Sequence, residues 1–154
     1  MKYYRAGVAW FKLDVDADDN KVKAEMDDQG YIARTGLNVF FPSIAVTARG
    51  NAAIGFSVSG PAIWPSAGYA VLRDGRTGPI HISAAGAAPD DGFSGYYFYG
   101  GFGSGRWGDY SAAVAGADGS IWMANEYVPD LPRTALANWG TFVARVNVNA
   151  DDCD

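Results

Sequence analysis

Three residues in the last third of the chain, Asp109, Tyr110 and Glu126, have side chains suited to acid–base or nucleophilic chemistry. An internal repeat aligns all three with apolar residues or proline in its other copy, so this copy has gained polar groups. Two carboxylates on neighbouring strands are the minimum equipment of a glycoside hydrolase, and a tyrosine activated by a carboxylate is an alternative nucleophile. The competing interpretation, which we favour, is structural. Arg106 then pairs with Asp109 and fixes the linker, while Glu126 is solvated at a strand end.

Aromatic side chains offer a second kind of chemistry, because their flat faces stack on the apolar surfaces of solutes such as sugars. The candidate ligand-binding residues are Arg106, Trp107, Tyr97, Tyr99, Trp64, Asn138 and Trp139. Tyr97 and Tyr99 lie in a glycine-rich linker, residues 92–105, which predicts an exposed binding loop. Most aromatic residues of a β domain are nevertheless core residues, and Trp122 is predicted to be one because the repeat aligns it with Ile54.

The acidic run that begins at Asp14 mimics the oxygen spacing of a calcium loop. Asp19, however, occupies the position at which such a loop needs glycine for its sharp turn, and the flanking segments predict strands rather than helices. We therefore favour an acidic, solvated hairpin turn, with calcium at Asp14, Asp16 and Asp18 as the alternative. No other metal and no cofactor is predicted, because His81, the one histidine, has no second histidine to join it.

These residues must be positioned by a fold that the chain repeats. Residues 43–57 return 68 residues later as 111–125, and both copies predict a short apolar strand, a polar turn and a longer strand. A second echo relates residues 68–73, 140–145 and 7–12, each of which begins with glycine and ends with a basic residue. Repetition on this scale is typical of arrays and propellers.

Aligning the copies predicts nine strands and an all-β, antiparallel fold. The strands are, in chain order, residues 7–15, 21–26, 41–47, 52–59, 68–73, 79–84, 110–115, 120–128 and 141–148. They fall into a partial unit over residues 1–35, a full four-stranded unit over 36–105 and a partial unit over 106–150. Such units are typical of β-propeller blades, and a stand-alone β-sandwich is the alternative. Because a closed propeller usually needs at least four blades, we expect either the C-terminal piece of a longer protein or a ring closed by copies of the chain.

Composition agrees with an all-β domain and argues against some functions. The 154 residues include 20 glycines, 5 Trp, 9 Tyr and 8 Phe, and only 19% are charged, which favours strands and turns. Residues 133–138 are the only stretch with a helical pattern. The net charge of −5 argues against a nucleic-acid partner. No apolar run approaches the roughly 20 residues of a membrane span, and the N-terminus lacks a signal-peptide pattern.

Several strings resemble one family. Arg106-Trp-Gly-Asp-Tyr-Ser111, Ile121-Trp-Met-Ala-Asn-Glu-Tyr127 and Arg133-Thr-Ala-Leu-Ala-Asn-Trp-Gly-Thr141 resemble the C-terminal part of bacterial secreted or surface proteins predicted to be sialidase-like (BNR-type) β-propellers. The resemblance covers nearly the whole chain. The chain differs from the family because it lacks the paired cysteines before Arg133. Asp118 and Gly119 are adjacent, which differs from the Asp-box spacing of true sialidases, and the arginine segment of the sialidase triad is absent. The resemblance therefore implies a fold and does not carry an activity.

We accordingly expect a non-catalytic binding or structural propeller segment of a bacterial protein, with part of a sialidase-like glycoside hydrolase as the alternative. The resemblance implies an extracellular or cell-surface location and carbohydrate as a partner. The incomplete units imply contact with the remainder of a larger propeller or with copies of the chain. Neither a nucleic acid nor insertion into a membrane is expected.

Overall fold

The computed structural model describes residues 4–18, 20–94, 107–108 and 110–148, and over these residues the chain is all-β and antiparallel. The strands are β1 (Val8–Asp18), β2 (Lys21–Ile32), β3 (Asn38–Val46), β4 (Ala52–Gly60), β5 (Ile63–Arg73), β6 (Arg76–Thr77), β7 (His81–Gly86), β8 (Ala112–Ala115), β9 (Ser120–Tyr127) and β10 (Gly140–Asn147). All nine predicted strands are present, and β6 is an additional short one. No helix within the described part of the chain is long and apolar enough to cross a bilayer.

The helical pattern of residues 133–138 is not realised. Thr134 instead closes a tight loop there, because its backbone N–H and its hydroxyl both donate to the carbonyl of Ala137, at 3.0 and 2.8 Å. The Thr134 hydroxyl also accepts from the backbone N–H of Leu136. The pattern gives no helix because the threonine side chain bonds to backbone groups that a helix would use, which agrees with the all-β prediction.

The strands form three antiparallel sheets. β1 and β2 form a two-stranded hairpin, here called the first hairpin. The central sheet has the order β3-β4-β5, and both β6 and β7 pair with the free edge of β5. The last sheet has the order β8-β9-β10. The central sheet is therefore four strands wide, because β6 and β7 share the place beside β5. None of the three sheets closes on itself over the described residues.

The base of the first hairpin packs on one side of the central sheet. The residues buried together there are Val8, Trp10, Ile32, Val39, Ala52, Ile54, Phe56, Val58, Ala70 and Leu72. Trp10 also donates a 2.9 Å hydrogen bond from Nε1 to the hydroxyl of Thr77. Gly30, which pairs with Trp10, leaves the space that the indole fills, because a Cβ at Gly30 would lie 2.6 Å from the ring. One large side chain thus fixes the hairpin to the central sheet.

The last sheet packs on the opposite side of the central sheet. Residues Ala53, Ile121, Met123 and Val148 are buried there, with Ala45, Tyr69, Val71, Ala113 and Val146 packed around them. β4 is therefore covered on both faces, and residues 52–58 are all buried. β9 is covered on one face only, because Ile121 and Met123 are buried while Trp122 is 46% exposed. The molecule is a stack of three layers with the central sheet in the middle.

The turns before β4 and β9 give the spacing of the repeat. The N–H of Thr47 donates to the carbonyl of Asn51, as that of Gly116 does to Ser120, and a glycine with φ near 80° follows at Gly50 and at Gly119. Thr47 thus corresponds to Gly116 and Gly50 to Gly119, a spacing of 69 residues. The 68-residue alignment was therefore wrong by one position.

The one-residue error exchanges the faces of β9, because successive side chains of a strand point to opposite sides. Counted from the turn, Trp122 corresponds to Ala53 and not to Ile54, and Glu126 corresponds to Ser57 and not to Val58. The prediction that Trp122 is a core residue was consequently wrong. The residue of β9 that takes the place of Ile54 is Met123, which is buried.

Two apolar sheet faces remain exposed at opposite ends of the stack. The front face lies on the first hairpin, on the side opposite Val8 and Trp10, and consists of Phe11, Leu13, Val15, Val22, Met26 and Tyr31. The back face lies on the last sheet, on the side opposite Ile121 and Met123, and consists of Val114, Trp122, Val143 and Arg145.

Candidate functional site

An aromatic corner forms where the start of β3, the segment before β8 and the end of β9 meet. It consists of Phe40, Phe41, Trp107, Gly108 and Glu126. The ring of Phe40 lies edge-to-face against that of Phe41, with centroids 5.1 Å apart, and against that of Trp107 at 5.8 Å. Edge-to-face contacts of this kind stabilise aromatic pairs beyond simple burial. The corner joins the central sheet to the last sheet.

A β-bulge in β3 turns Phe41 into this corner. Phe40 pairs with Ser57 and Ser43 pairs with Gly55, so two residues of β3 oppose a single residue of β4. Phe41 has a φ of 52°, a left-handed conformation that is strained for a bulky residue. The surrounding structure holds it, because the hydroxyl of Ser111 donates a 2.8 Å hydrogen bond to the carbonyl of Phe41.

Gly108 allows the segment before β8 to reach the corner. Its φ is 68°, and a Cβ there would lie 2.8 Å from the ring of Phe41 and 3.3 Å from Oε2 of Glu126. Oε2 of Glu126 is buried, while the residue as a whole is only partly buried. The interpretation of Glu126 as a solvated residue therefore does not apply to this oxygen.

Asn125 and Ser57 lie beneath the corner and were missed from the sequence. Asn125 is 3% exposed, and its Oδ1 lies 2.6 Å from the position of a Cβ at Gly55. Its buried Nδ2 has no hydrogen-bond partner among the described residues. Ser57 donates a 3.4 Å hydrogen bond to the backbone carbonyl of Glu126. The one signal in the sequence is a pair of polar residues, Asn125 and Glu126, inside a strand that is otherwise apolar.

The predicted catalytic residues are brought together only in part. Glu126 lies in the aromatic corner, against Gly108. Tyr110 is 85% exposed and so lies in a different environment from the buried Oε2 of Glu126. Asp109 and its predicted partner Arg106 lie outside the described residues.

The predicted ligand-binding residues separate into several places. Trp107 is in the corner, whereas Trp64 is half-exposed on β5 opposite Gly86. The side chain of Asn138 is engaged in hydrogen bonds within the chain, since it donates to the carbonyl of Pro89 and accepts from the backbone N–H of Asp91. Trp139 precedes β10, and its Nε1 is buried. Tyr97 and Tyr99 lie outside the described residues.

The acidic residues proposed for calcium lie on an exposed strand. Asp16 pairs across the first hairpin with Lys23, and Asp18 pairs with Lys21. Asp14 pairs with Glu25. Among the described residues no group of three or more His, Cys, Asp or Glu side chains could hold a metal ion. Calcium binding at Asp14, Asp16 and Asp18 stays a prediction.

A concavity of about 600 Å³ lies apart from the aromatic corner, with Arg73, Asp74, Arg76 and His81 in its lining. The ring of His81 stacks on Tyr69, with centroids 5.0 Å apart and planes 17° from parallel. Arg73 is held by a 2.9 Å hydrogen bond from Nε to the carbonyl of Val148. Arg73 thus joins the central sheet to the residue after β10, while His81 packs within the central sheet.

Comparison with known proteins identifies no relative: no family model, no curated protein and no solved structure matches the chain. The resemblance to sialidase-like propellers therefore rests on the sequence strings alone.

Proposed function

We propose that the chain is a non-catalytic binding or structural segment of a bacterial secreted or surface protein, built from β-propeller blades. The observation that supports this best is the order in which the sheets stack. β4 is covered by the first hairpin on one face and by the last sheet on the other. A two-layer β-sandwich, in contrast, buries one face of each sheet and leaves the other to water.

Equivalent faces of the units point in one direction along the stack. Ile121 and Met123 of the last sheet contact the central sheet, and their equivalents Ala52 and Ile54 contact the first hairpin. In both contacts, the side of a sheet that carries Ile121 and Met123, or their equivalents, packs on the sheet that precedes it in the sequence. Successive units related in this way are typical of propeller blades.

The ligand class that we propose for the aromatic corner is carbohydrate. Phe40, Phe41 and Trp107 supply flat apolar surfaces, and Glu126 supplies a hydrogen-bond acceptor beside them. Binding sites combine a mostly apolar lining with a few placed polar groups, as this corner does.

A second candidate, a sialidase-like glycoside hydrolase, is favoured by one observation. Oε2 of Glu126 is buried and lies against Gly108, whose neighbour in the sequence is Asp109. Two carboxylates within about 5–10 Å of each other are what retaining and inverting glycosidases require. The two candidates differ in whether Glu126 supports turnover.

Turnover of chromogenic glycosides, sialosides included, separates the two candidates. We expect the full chain to show no hydrolysis above that of Glu126→Gln. Glu25→Gln, an exposed acid on β2, is the matched control. Hydrolysis that disappears in Glu126→Gln and persists in Glu25→Gln would overturn the non-catalytic proposal in favour of the hydrolase.

Binding is tested on a glycan array with Trp107→Ala and Trp64→Ala. We expect Trp107→Ala to abolish glycan binding and Trp64→Ala to retain it, because only Trp107 lies in the corner. A thermal melt of each variant identifies loss of fold. Trp107→Phe, which keeps an aromatic face, is expected to restore part of the binding. Equal loss in both tryptophan variants would contradict the placement of the ligand.

A further inference from the structure

We propose that a second copy of the chain docks its front face on the back face of the first, so that copies associate head to tail. This inference rests on the proposed function, since it takes the three sheets to be successive units of one stack. It adds the identity of the partner and the two surfaces that meet.

The front face is too apolar for a surface that stays in water. Its six side chains are between 54% and 73% exposed and lie along a single face of the first hairpin. Soluble monomers rarely leave a contiguous apolar patch of this kind uncovered. A two-stranded ribbon is also only marginally stable by itself, and additional packing against another layer stabilises it.

The back face has the same character at the other end of the stack. Val114, Trp122 and Val143 are 63%, 46% and 58% exposed. They occupy neighbouring positions on the three strands of the last sheet. Arg145 lies over the ring of Trp122, with its Cζ 5.7 Å from the centroid.

The chain already contains the contact that we propose between copies. Ala53, the equivalent of Trp122, is fully buried because the last sheet covers it. Phe11 takes the place of Leu72 in the echo between residues 7–12 and 68–73, and Leu72 is buried because the first hairpin covers it. This kind of contact between neighbouring sheets forms twice inside the molecule, once on each side of the central sheet. Each end of the stack therefore exposes a surface that corresponds to one side of such a contact. A second copy supplies the missing half at each end.

The internal contacts favour this arrangement over a symmetric one between two hairpins. On both sides of the central sheet, the side of one sheet that corresponds to the front face packs on the side of its neighbour that corresponds to the back face. The charged pairs of the first hairpin, such as Asp16 with Lys23, alternate along the strands with the front-face residues and so lie on the other side of the ribbon. The front face itself is therefore apolar and suits the apolar residues of the back face. The contact is heterologous, and heterologous contacts generate rings or open filaments.

The test is sedimentation of the full chain over a concentration series that reaches roughly 100 μM, well above the micromolar Kd of ordinary specific interfaces. We expect the mass to rise above that of a monomer. Leu13→Lys/Val15→Lys on the front face and Val114→Lys/Val143→Lys on the back face should each weaken association at least about tenfold. Leu131→Lys/Leu136→Lys, exposed leucines outside both faces, is the matched control and should associate like the unaltered chain. Circular dichroism checks that each variant is folded.

Mixing the two impaired variants identifies the geometry. Each keeps one intact face, so a 1:1 mixture should form a dimer and nothing larger. A monomeric unaltered chain overturns the inference, as does association that survives both face variants or that only one of them weakens. A monomer without glycoside turnover leaves the proposed function intact. Turnover that needs Glu126 overturns the proposed function whatever the mass.

Discussion

Arg145 and Asp118 form an ion pair that links the turn before β9 to the back face, with Nη2 of Arg145 2.7 Å from Oδ2 of Asp118. The other carboxylate oxygen, Oδ1, accepts from the hydroxyl of Ser120 at 2.7 Å and from its backbone N–H at 3.0 Å. The two bonds from Ser120 and the guanidinium of Arg145 lower the pKa of Asp118 to about 2. The Asp118 carboxyl is therefore ionised over the ordinary pH range, and in this form it holds the turn.

Replacing Ser120 should raise the pKa of Asp118. In Ser120→Ala the hydroxyl bond, the largest cause of the shift, is lost, so the pKa is expected to move back toward its usual value of 3.8. Arg145→Gln should also raise it, because the guanidinium lowers the pKa through its hydrogen bond and through its charge. An NMR titration of the Asp118 carboxyl measures both changes. An unchanged pKa in either variant would contradict this account.

The same shift gives a sign to the dependence of stability on pH. Because the folded pKa lies below the unfolded one, the stabilisation is fully present above about pH 4 and is lost as the pH falls toward 2. Ser120→Ala should therefore lose less stability than the unaltered chain between about pH 5 and about pH 2, a range that spans this window. Denaturant melts of both proteins at the two pH values measure this difference. Identical losses would exclude a role of Asp118 in acid sensitivity.

Neighbouring positions of the last sheet should differ sharply in their cost to stability. Met123 is buried between the central and last sheets, so Met123→Ala is expected to lower the free energy of unfolding by about 2–5 kcal/mol. Val143 is on the exposed side, and Val143→Ala should change the free energy of unfolding by less than about 0.5 kcal/mol. Urea denaturation at a protein concentration low enough to keep the chain monomeric measures both. Similar losses of unfolding free energy in the two variants would mean that Met123 and Val143 are in the same environment.

Gly30 should tolerate no side chain, because Trp10 occupies the space beside it. A Cβ at Gly30 would lie 2.6–2.7 Å from three atoms of the indole. Gly30→Ala is expected to lower the free energy of unfolding by about 1–3 kcal/mol through overpacking. Gly140→Ala is the control, since its nearest neighbour would be the ring of Pro129 at 3.6 Å, and it should be neutral or slightly stabilising. Neutral behaviour of Gly30→Ala would show that the indole moves freely.

The sequence predicts the strands well because the evidence for them is local. Alternation of apolar residues and glycine-containing turns place the nine strands, and β4 and β9 agree with their predicted bounds to within a residue. Strands β2 and β5 extend further than predicted, because Gly30 in β2 and Pro65 in β5 suggest interruptions that pairing with a neighbour overrides.

The faces of the last sheet were not predictable from the repeat in the same way. Both alignments of the two turns match apolar with apolar residues, and only hydrogen bonds within the turns distinguish a spacing of 69 residues. A large apolar residue such as Trp122 suggests a core position whichever alignment is used. The aromatic corner depends on a bulge at Phe41 and on close approach of Gly108, which are tertiary features. The polar pair Asn125 and Glu126 was the only local signal for it.

The hydrogen bond from Trp10 to Thr77 should control how firmly the first hairpin is attached. In Thr77→Val the indole N–H loses its 2.9 Å acceptor while the ring stays buried against Gly30, so the free energy of unfolding is expected to fall by about 1–3 kcal/mol. The indole proton of Trp10 should also exchange faster with solvent, which NMR detects directly. Thr141→Val, an exposed threonine on β10, is the control and is expected to be neutral, since β-branched residues of similar shape suit a strand equally well. Unchanged exchange at Trp10 in Thr77→Val would mean that the ring is held by packing alone and that the bond to Thr77 contributes nothing to the attachment.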